Sequence, residues 1–374
     1  MIRFSKPSIS KLEEDYVLDA LRNGAMSGDG KYTFLAYQQF EERFGIKNML
    51  LTASGTTALE MAALLIDLKA DDEVIVPSYT FSSTVNAFML RGARPVFCDI
   101  RNDTLNMDER QIESLITDKT KAVFTVDYAG VPCEYDEIKR IAKEHGLFVV
   151  EDAAQAVGSC YKGIPCGLLA DLGCYSFHAT KNYVMGEGGG LVFPDDRYVE
   201  RAEIIREKGT NRSQLLRGEV DKYTWHDIGS SFLPSDILAA LLYAQMLRFD
   251  EILEKRLDIW NTYHRILKPL EESGMLRCQI IPEDCTHNAH MYYILLPTPE
   301  IRAALMKEMK EREILCVTHY VPLHSSPMGL KLGYSADSCP VTEDISERIL
   351  RLPLYVEMKL EDAVYVAESI CEAL

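Results

Sequence analysis

The feature that most constrains the fold is an alternation of two patterns over the first two thirds of the chain. Short apolar runs rich in β-branched residues, typical of buried strands, alternate with stretches of helical periodicity such as EYDEIKRIAKEHG, residues 134–146. Because parallel strands need crossover connections, which helices usually supply, the alternation predicts an α/β fold with a largely parallel sheet. The apolar runs are NMLLTA, EVIVP, RPVFCDI, AVFTVDYA, LFVVEDA, CYSFHAT and GGLVF.

The pattern changes after about residue 235, where long helical stretches replace the regular alternation. They are followed by a further apolar run, AHMYYILLP at residues 289–297, and by another helical stretch. This change predicts two units, a large domain at residues 1–240 and a smaller C-terminal α/β domain at residues 241–374.

Charge and composition exclude several classes of function. The formal net charge of −17 argues against a nucleic-acid or anionic-membrane surface, because both would be repelled. No stretch approaches the roughly 20 apolar residues that span a bilayer, and the N-terminal residues do not read as a signal peptide, so we expect a cytoplasmic protein. The 10 cysteines contain no C-x-x-C pair, and we expect neither a zinc site nor a disulfide framework.

Small polar residues follow the first predicted strand, in SGTT at residues 54–57. Glycine and hydroxyl residues at the start of a helix can wrap an anion with free N–H groups. The same residues could simply cap the helix, since serine is a preferred N-cap residue. The pattern therefore allows either a phosphate cradle or a cap.

Three further strand ends carry candidate functional residues. Glu151 or Asp152, at the end of a buried strand, is costly unless it is paired with a cation, although either acid could cap a helix. Phe81 could offer an aromatic face to a planar ligand or could belong to the core. Lys181 stands between an apolar run and a cluster of glycines. A lysine is expected in such a position only if its amine reaches solvent or takes part in chemistry.

The glycine cluster MGEGGG, residues 185–190, does not match a dinucleotide-binding fingerprint, because Leu191 occupies the place of the last glycine. No G-K-[ST] follows it, so the P-loop is excluded as well. A lysine with a lowered pKa, a buried acid, an aromatic face and a phosphate cradle together describe a site for pyridoxal 5′-phosphate, PLP.

The chain also resembles the DegT/StrS family of PLP-dependent sugar-nucleotide aminotransferases. The resemblance rests on segments that occur in family order: SGTTALEMA, PSYTFSSTVNAF, VDYAGVPCEYD, VVEDAAQAVGS, SFHATKNY, GEGG and HYVPLH. It implies the aspartate aminotransferase-like fold, type I of the PLP enzymes. In that fold a large domain with a mixed, mostly parallel seven-stranded sheet carries a smaller C-terminal α/β domain.

The resemblance also implies roles for individual residues. Lys181 is the Schiff-base lysine, and Asp152 is the partner of the pyridinium nitrogen. Gln155 contacts the hydroxyl of the cofactor ring, and Phe81 stacks on that ring. The residues that hold the phosphate are Gly55, Thr56 and Ser176.

Other positions are implied to bind the substrate or to depart from the family pattern. His178, Tyr320 and His324 are expected at the sugar, although His324 could equally be a packing histidine at a turn. Ser231 stands where many members have an asparagine that reaches the phosphate of the neighbouring subunit, so the resemblance implies Ser231 as a cofactor-binding residue with a shorter side chain.

A basic segment, residues 204–218, has a local excess of positive charge in an acidic protein, and it is either a pyrophosphate site or a solvated loop. The basic residues in question are Arg206, Lys208, Arg212 and Arg217.

The implied reaction moves an amino group from L-glutamate to C4 of dTDP-4-oxo-6-deoxy-D-glucose. The segments at residues 200–231 and 350–355 most resemble the branch of the family that makes the galacto-configured 4-amino sugar for enterobacterial common antigen. The family also implies a homodimer with shared active sites. Sequence leaves the gluco epimer open as the product.

Two other functions remain to be weighed. A sugar 3-dehydratase of the same family would carry histidine in place of Lys181. A non-catalytic PLP-binding regulator would need a DNA-binding module, and the sequence has no basic helix-turn-helix segment outside the two predicted domains.

Overall fold

The computed structural model describes residues 1–24 and 26–374. The strands are β1 (Met49–Thr52), β2 (Glu73–Pro77), β3 (Arg94–Cys98), β4 (Thr120–Val126), β5 (Phe148–Asp152), β6 (Cys160–Tyr161), β7 (Ile164–Pro165), β8 (Leu172–Ser176), β9 (Gly189–Val192), β10 (Arg277–Cys278), β11 (Cys285–Thr286), β12 (Tyr292–Leu295) and β13 (Ile349–Leu352). The helices are α1 (Lys11–Asn23), α2 (Lys31–Phe44), α3 (Gly55–Leu65), α4 (Ser82–Met89), α5 (Glu109–Leu115), α6 (Tyr135–His145), α7 (Val199–Arg206), α8 (Arg212–Leu216), α9 (Asp236–Leu247), α10 (Phe249–Glu272), α11 (Pro299–Glu311), α12 (Pro327–Lys331), α13 (Pro340–Arg348) and α14 (Leu360–Ala373).

Seven strands form the central sheet, in the order β1-β9-β8-β5-β4-β2-β3. The pairs from β8 through β5, β4 and β2 to β3 are parallel, whereas β9 runs antiparallel to both of its neighbours. The predicted α/β fold with a mixed, mostly parallel sheet of seven strands is confirmed.

Both faces of the sheet are covered, which explains why its strands read as continuous apolar runs. On β4, Val123 packs into one core cluster with Tyr135 and Ile138, two residues of α6. Its neighbours Ala122 and Phe124 belong to a second cluster on the other face. Alternate side chains of a strand therefore supply opposite layers of helices.

A second, antiparallel sheet is built from β10, β12 and β13. Its core includes Trp260 and Tyr263 of α10, Leu305 of α11 and Val366 of α14. The helical stripe of α10 accounts for this packing, since its buried residues recur at intervals of three and four. The predicted domain division after residue 240 falls within α9 and stays a prediction.

The carboxyl ends of the parallel strands meet at one edge of the central sheet, where ligands collect in open α/β folds. The N-terminal segment reaches the same region. The N–H of Ile2 donates to the carbonyl of Glu313, and the carbonyl of Phe4 accepts from the N–H of Leu354. Among residues 1–24 and 26–374, no helix combines the length and the apolar character that crossing a bilayer requires.

Candidate active site

A cavity of about 570 Å³ opens at the carboxyl ends of β1, β2, β5 and β8. This volume lies in the range of small-molecule sites. Its walls come from the loops that follow these strands, from α10 and β13, and from the N-terminal segment at Phe4 and Ser5. Residues from both the central sheet and the second sheet therefore face one space.

Lys181 lies in the turn after β8, in the wall of this cavity. Burial lowers the pKa of its amine to about 8, and the positive charge of Arg351 acts in the same direction. The negative charge of Asp152 opposes them by favouring the ammonium form. A half-buried lysine with this pKa is partly neutral near pH 7, and the neutral amine is a nucleophile and a base.

Asp152 ends β5 and also faces the cavity. Its Oδ2 accepts a hydrogen bond of 2.7 Å from the hydroxyl of Thr84, and its Oδ1 accepts one of 3.1 Å from the N–H of Ala154. Burial raises the pKa of this carboxyl, while the two hydrogen bonds and Lys181 counteract the rise. A cationic ring nitrogen placed against Asp152 would stabilise the charged form.

The neighbouring acid, Glu151, points to the other face of the sheet. Its carboxylate accepts hydrogen bonds from the backbone N–H groups of Gly167 and Leu169. It lies beside Asp127 and Cys166, whose ligand atoms all fall within 4.8 Å of one another. The strand alternation thus assigns Asp152, and not Glu151, to the cavity.

The SGTT segment is both a helix cap and an anion cradle. Ser54 caps α3, because its hydroxyl accepts from the N–H of Thr57 at 3.1 Å. The first N–H groups of α3, at Gly55 and Thr56, have no partner within the helix and lie in the cavity wall. The hydroxyl of Thr56 pairs with that of Ser83 at 2.8 Å, which adds a second hydroxyl to the cradle.

Close backbone approach explains the glycines around this cradle. A Cβ on Gly55 would lie 2.8 Å from the Cβ of Ser176, and one on Gly189 would lie 2.4 Å from the carbonyl oxygen of Ser54. Both contacts are shorter than any packed side chain tolerates. The glycine cluster after Lys181 therefore lets β9 pass against the start of α3.

Phe81 precedes α4 and is 60% exposed, so its ring does not belong to the core. It lines the cavity, with its centroid 6.4 Å from that of Tyr320. Gln155 lies below, where its Oε1 accepts from the N–H of Ala129 and its Nε2 donates to the hydroxyl of Tyr320 at 3.0 Å. Phe81, Gln155, Asp152 and Lys181 all line this cavity, so a planar ligand in it would meet an aromatic ring, an amide, a carboxylate and an amine.

Tyr320 has a φ of 37°, a left-handed backbone conformation that non-glycine residues rarely adopt. Its ring stacks on His319 at a centroid distance of 3.6 Å. The Nδ1 of His319 is 2.7 Å from the hydroxyl of Tyr128, which fixes the imidazole. Strained backbone in a cavity wall is common at functional sites, because the surrounding contacts hold it there.

These residues fit PLP. The free N–H groups at the start of α3 and the hydroxyls of Thr56, Ser83 and Ser176 suit a phosphate. The exposed face of Phe81 suits a pyridine ring, and the buried carboxylate of Asp152 suits its protonated nitrogen.

His178 also lies in the cavity wall. Its Nδ1 is 2.9 Å from the hydroxyl of Thr180, and its Nε2 is 3.5 Å from a carboxylate oxygen of Glu187.

Two other predicted site residues do not reach this cavity. Ser231 is exposed and forms a backbone bridge with Glu207.

His324 is fully buried at 0% exposure and is absent from the lining of the cavity. Its Nδ1 is 2.5 Å from the hydroxyl of Ser78, and its Nε2 is 3.1 Å from the carboxylate of Glu343. These contacts correspond to the packing histidine that the sequence left open, so we do not include His324 in the site.

The basic segment at residues 204–218 does not offer free positive charge. Arg206 is buried against Asp29, and both Lys208 and Arg212 pair with Glu207. The guanidinium of Arg217 pairs with two further carboxylates, those of Glu203 and Glu219. A pyrophosphate would have to displace these partners.

Sequence reasoning missed five cationic or aromatic residues of the cavity wall, namely Phe4, Arg256, His290, His319 and Arg351. Arg256 donates from Nε to the carbonyl of Ala289 and from an Nη to the carbonyl of His290. One signal was available, because Arg256 stands on the apolar stripe of α10 between Ile252 and Ile259. An arginine inside an apolar stripe indicates a buried cation with a functional role.

The chain matches the DegT/DnrJ/EryC1/StrS aminotransferase family over residues 7–371. It is 33% identical over 372 residues to GDP-perosamine synthase of Escherichia coli O157:H7, covering 98% of this chain and 97% of the relative. It is 31% identical over 382 residues to dTDP-4-dehydro-2,3,6-trideoxy-D-glucose 4-aminotransferase of Saccharopolyspora spinosa, covering 100% and 97%. The PLP-form structure of the putative sugar aminotransferase Spr1654 from Streptococcus pneumoniae matches with a TM-score of 0.91 and 27% identity, covering 100% and 99%.

Proposed function

Because the chain belongs to the DegT/DnrJ/EryC1/StrS aminotransferase family, we propose that it transfers the amino group of L-glutamate to C4 of dTDP-4-oxo-6-deoxy-D-glucose. The product is dTDP-4-amino-4,6-dideoxy-D-galactose, a precursor for a cell-surface polysaccharide such as enterobacterial common antigen. The predicted family, aspartate aminotransferase-like fold and aminotransferase activity are confirmed. The cofactor is pyridoxal 5′-phosphate, as predicted.

The observation that carries the proposal is the meeting of Lys181, Asp152 and the cradle at Gly55 and Thr56 in one cavity. Each group alone has a structural explanation. Together they provide a base with a pKa of about 8, an anion for a ring nitrogen and N–H donors for a phosphate. The presence of Lys181 also argues against the sugar 3-dehydratases.

The relatives support a nucleotide-sugar acceptor. One of them is named a 4-aminotransferase of a dTDP-4-dehydro sugar, and another is a GDP-perosamine synthase. We propose the dTDP sugar and its C4 for this chain on that ground and on the family branch that residues 200–231 resemble.

When bound, pyridoxal 5′-phosphate carries the amino group between the two substrates and delocalises negative charge from the reacting carbon. Lys181 Nζ is the base that takes a proton from Cα of the amino donor, and it later delivers a proton to C4 of the sugar. Hydrogen bonds from Thr84 and Ala154 hold the Asp152 carboxylate, whose negative charge stabilises a protonated ring nitrogen. Phe81 and Gln155 orient the ring.

The configuration of the product depends on which face of the sugar meets Lys181. Delivery of the proton to one face leaves the amine axial, which is the galacto product. Delivery to the other face leaves it equatorial, which is the gluco product. We propose the galacto outcome, with the gluco epimer as the alternative.

We further propose a cytoplasmic homodimer with shared active sites. The loop that ends at Ser231 exposes large apolar side chains, of which Trp225 is 79% exposed and Ile228 is 51% exposed. Contiguous exposed apolar residues often mark an interface between subunits. Light scattering on the purified protein tests this, with Trp225→Glu expected to shift the mass towards the monomer.

The reaction is tested by incubating the PLP-loaded protein with L-glutamate and dTDP-4-oxo-6-deoxy-D-glucose, followed by proton NMR of the purified product. A small coupling between H3 and H4 supports the galacto 4-amino sugar, and a large coupling supports the gluco epimer. If the cofactor spectrum responds to glutamate but no amino sugar forms, the proposed acceptor is wrong. If the cofactor spectrum stays unchanged with glutamate, the non-catalytic regulator is favoured instead.

A matched pair of lysine variants ties this activity to the cavity. Lys181→Ala should abolish covalent attachment of the cofactor and all product. Lys162→Ala should leave both unchanged, because Lys162 pairs with Asp136 at the surface, outside the cavity. Persistent covalent attachment in Lys181→Ala would contradict the assignment of the site.

A further inference from the structure

His290 stands two residues before β12 and carries a hydrogen-bond acceptor that the protein itself does not use. Its Nδ1 lies 2.9 Å from Oδ1 of Asn182. The Nδ2 of Asn182 donates to the carbonyl of Asn288 at 2.8 Å, so Oδ1 of Asn182 is an acceptor and Nδ1 of His290 must carry the proton. A neutral imidazole protonated on Nδ1 has a bare lone pair on Nε2.

The surroundings of this imidazole keep it neutral. His290 is 8% exposed. Burial lowers its pKa well below the ordinary value, and the positive charges of Lys181 and Arg256 act in the same direction. Near neutral pH its Nε2 therefore remains an acceptor.

The unused nitrogen faces the active-site cavity. His290 lines that cavity, whereas Asn182 lies outside its lining. The Nδ1 edge of the ring thus turns away from the cavity, and the opposite edge, which carries Nε2, turns towards it. Nε2 has no hydrogen-bond partner among the residues that the structure describes. A buried acceptor without a partner is costly, so this ring is built to meet a donor on a ligand.

His290 also lies beside Lys181. A void of about 10 Å³, roughly the room of one water molecule, adjoins the main cavity and is lined by Lys181, Asn182 and His290 among others. Side chains around so small a void are only a few ångström apart. Asn182, which directly follows Lys181 in the chain, also holds the imidazole through Nδ1. A carbon that reacts at Lys181 therefore brings its nearest substituents close to His290.

We propose that Nε2 of His290 accepts a hydrogen bond from the C3 hydroxyl of the acceptor sugar. The inference rests on the proposed function and adds a residue that determines specificity for the sugar. Because C4 is a carbonyl and C6 a methyl group, the pyranose of dTDP-4-oxo-6-deoxy-D-glucose has hydroxyls only at C2 and C3. C3 is bonded to C4, the carbon that must lie at Lys181, so its hydroxyl is the donor nearest to His290.

Other groups suit this position less well. A carboxylate of the amino donor would bring its own lone pairs against that of Nε2, and the two would repel each other. The diphosphate of the nucleotide is disfavoured for the same reason. The amine of Lys181 is a rival donor, but it has to face the reacting carbon while it transfers the proton.

Equilibrium binding to the PLP-loaded protein tests the contact without turnover. The ligands are dTDP-6-deoxy-D-glucose, which has no carbonyl to react, and its 3-deoxy and 2-deoxy analogues. In the wild type, calorimetry should give a Kd roughly 10-fold higher for the 3-deoxy analogue than for the parent sugar. In His290→Asn the Kd of the parent sugar should rise by about the same factor, while that of the 3-deoxy analogue should change less than about 2-fold.

Two substitutions separate the two ring nitrogens. Asparagine places an amide N–H near the position of Nδ1 and nothing at that of Nε2, so His290→Asn keeps the contact with Asn182. Glutamine places its amide oxygen near the position of Nε2, so His290→Gln should recover most of the affinity for the parent sugar. His145→Asn changes an exposed histidine of α6 outside the cavity lining and should leave every Kd unchanged.

Nitrogen-15 NMR of the histidine-labelled wild type gives a second reading that needs no stable variant. A ring protonated on Nδ1 should show a bare Nε2 signal that moves when the parent sugar is added. The same signal should stay in place when the 3-deoxy analogue is added. If no such signal moves with the parent sugar, the proposed contact does not form.

Three binding results would each overturn the proposal. The first is an equal Kd of the wild type for the parent sugar and its 3-deoxy analogue. The second is an equal loss of both sugars in His290→Asn, which would mean that the imidazole serves Lys181 or the fold. The third is a loss in His290→Asn that disappears with the 2-deoxy analogue, because the contact would then be to the C2 hydroxyl.

The outcome is separable from that of the proposed function. If the sugars bind and are discriminated as expected but no 4-amino sugar forms, the proposed reaction fails and the His290 contact stands. If the 4-amino sugar forms but the wild type does not discriminate against the 3-deoxy analogue, the reaction stands and the inference fails.

Discussion

The acidity of Lys181 links the structure of the cavity to a quantity that can be measured on one side chain. Burial lowers the pKa of its amine to about 8, from an ordinary value of 10.5. Raising the pH of the cofactor-free protein should therefore release the neutral amine over a range where other lysines stay protonated. The perturbation is a change of pH from about 6 to about 12, a range that includes the ordinary lysine pKa.

The expected size follows from these two values. At pH 7.5, a pKa of about 8 leaves about one quarter of the amine neutral, against roughly 0.1% for an ordinary lysine. The neutral fraction of Lys181 should thus be about 200-fold larger. Because Asp152 favours the ammonium form, Asp152→Asn should lower the midpoint, and Arg351→Met should raise it.

Competitive acetylation with a trace of labelled anhydride measures the neutral fraction of each lysine, because only neutral amines react. Mass spectrometry of the peptides gives the pH at which each lysine reaches half of its limiting rate. Lys162 is an internal control, because its contact with Asp136 raises its pKa above the ordinary value. The midpoint, not the absolute rate, is compared, so different exposure of the two side chains does not matter.

A midpoint for Lys181 near 10.5 would refute the reasoning, because burial would then have no effect on the amine. A shift of the midpoint in the same direction in Asp152→Asn and Arg351→Met would also refute it. In that case the charges of the cavity would not act on Lys181 as the structure indicates.

Three further predictions concern the cofactor site and the buried acids. Asp152→Asn should lower kcat by about 100-fold or more, because the ring nitrogen loses its anion, and Thr84→Val should cause a smaller loss, as steady-state kinetics will show. Gly55→Ala should weaken PLP binding at least about 10-fold in a fluorescence titration, since its Cβ would lie 2.8 Å from that of Ser176. Burial raises the pKa of Asp127, so its folded form holds a proton more tightly than its unfolded form, and its charge destabilises the fold as pH rises above about 4. The free energy of unfolding, measured in urea, should therefore rise for Asp127→Asn relative to the wild type as the pH increases from acid to neutral.

The fold was predictable because its signal is local and repeated. Each strand of the central sheet is a short apolar run, and the stretches between the parallel strands are mostly helical. The strand ends could be located for the same reason, and the residues at or after them include Asp152, Lys181 and the segment at Gly55. Strand alternation decided between Glu151 and Asp152 only when the register of β5 was known.

Contacts between distant parts of the chain were not predictable. The contact of Phe4 with Arg351 joins the N-terminal segment to β13, and no periodicity within either segment indicates it. His324 shares a motif with Tyr320, yet the turn between them sends one side chain into the cavity and the other against Ser78. The basic residues at 204–218 are neutralised by carboxylates whose approach depends on the fold of that loop.

Transfer of labelled nitrogen tests the central claim most directly. The PLP-loaded protein is incubated with ¹⁵N-labelled L-glutamate and dTDP-4-oxo-6-deoxy-D-glucose, and the sugar product is analysed by mass spectrometry and by ¹⁵N-resolved NMR. We predict one ¹⁵N atom per sugar, bonded to C4, in the wild type and in Lys162→Ala, and none in Lys181→Ala. A sugar without the label, or with the label at another carbon, would contradict the account.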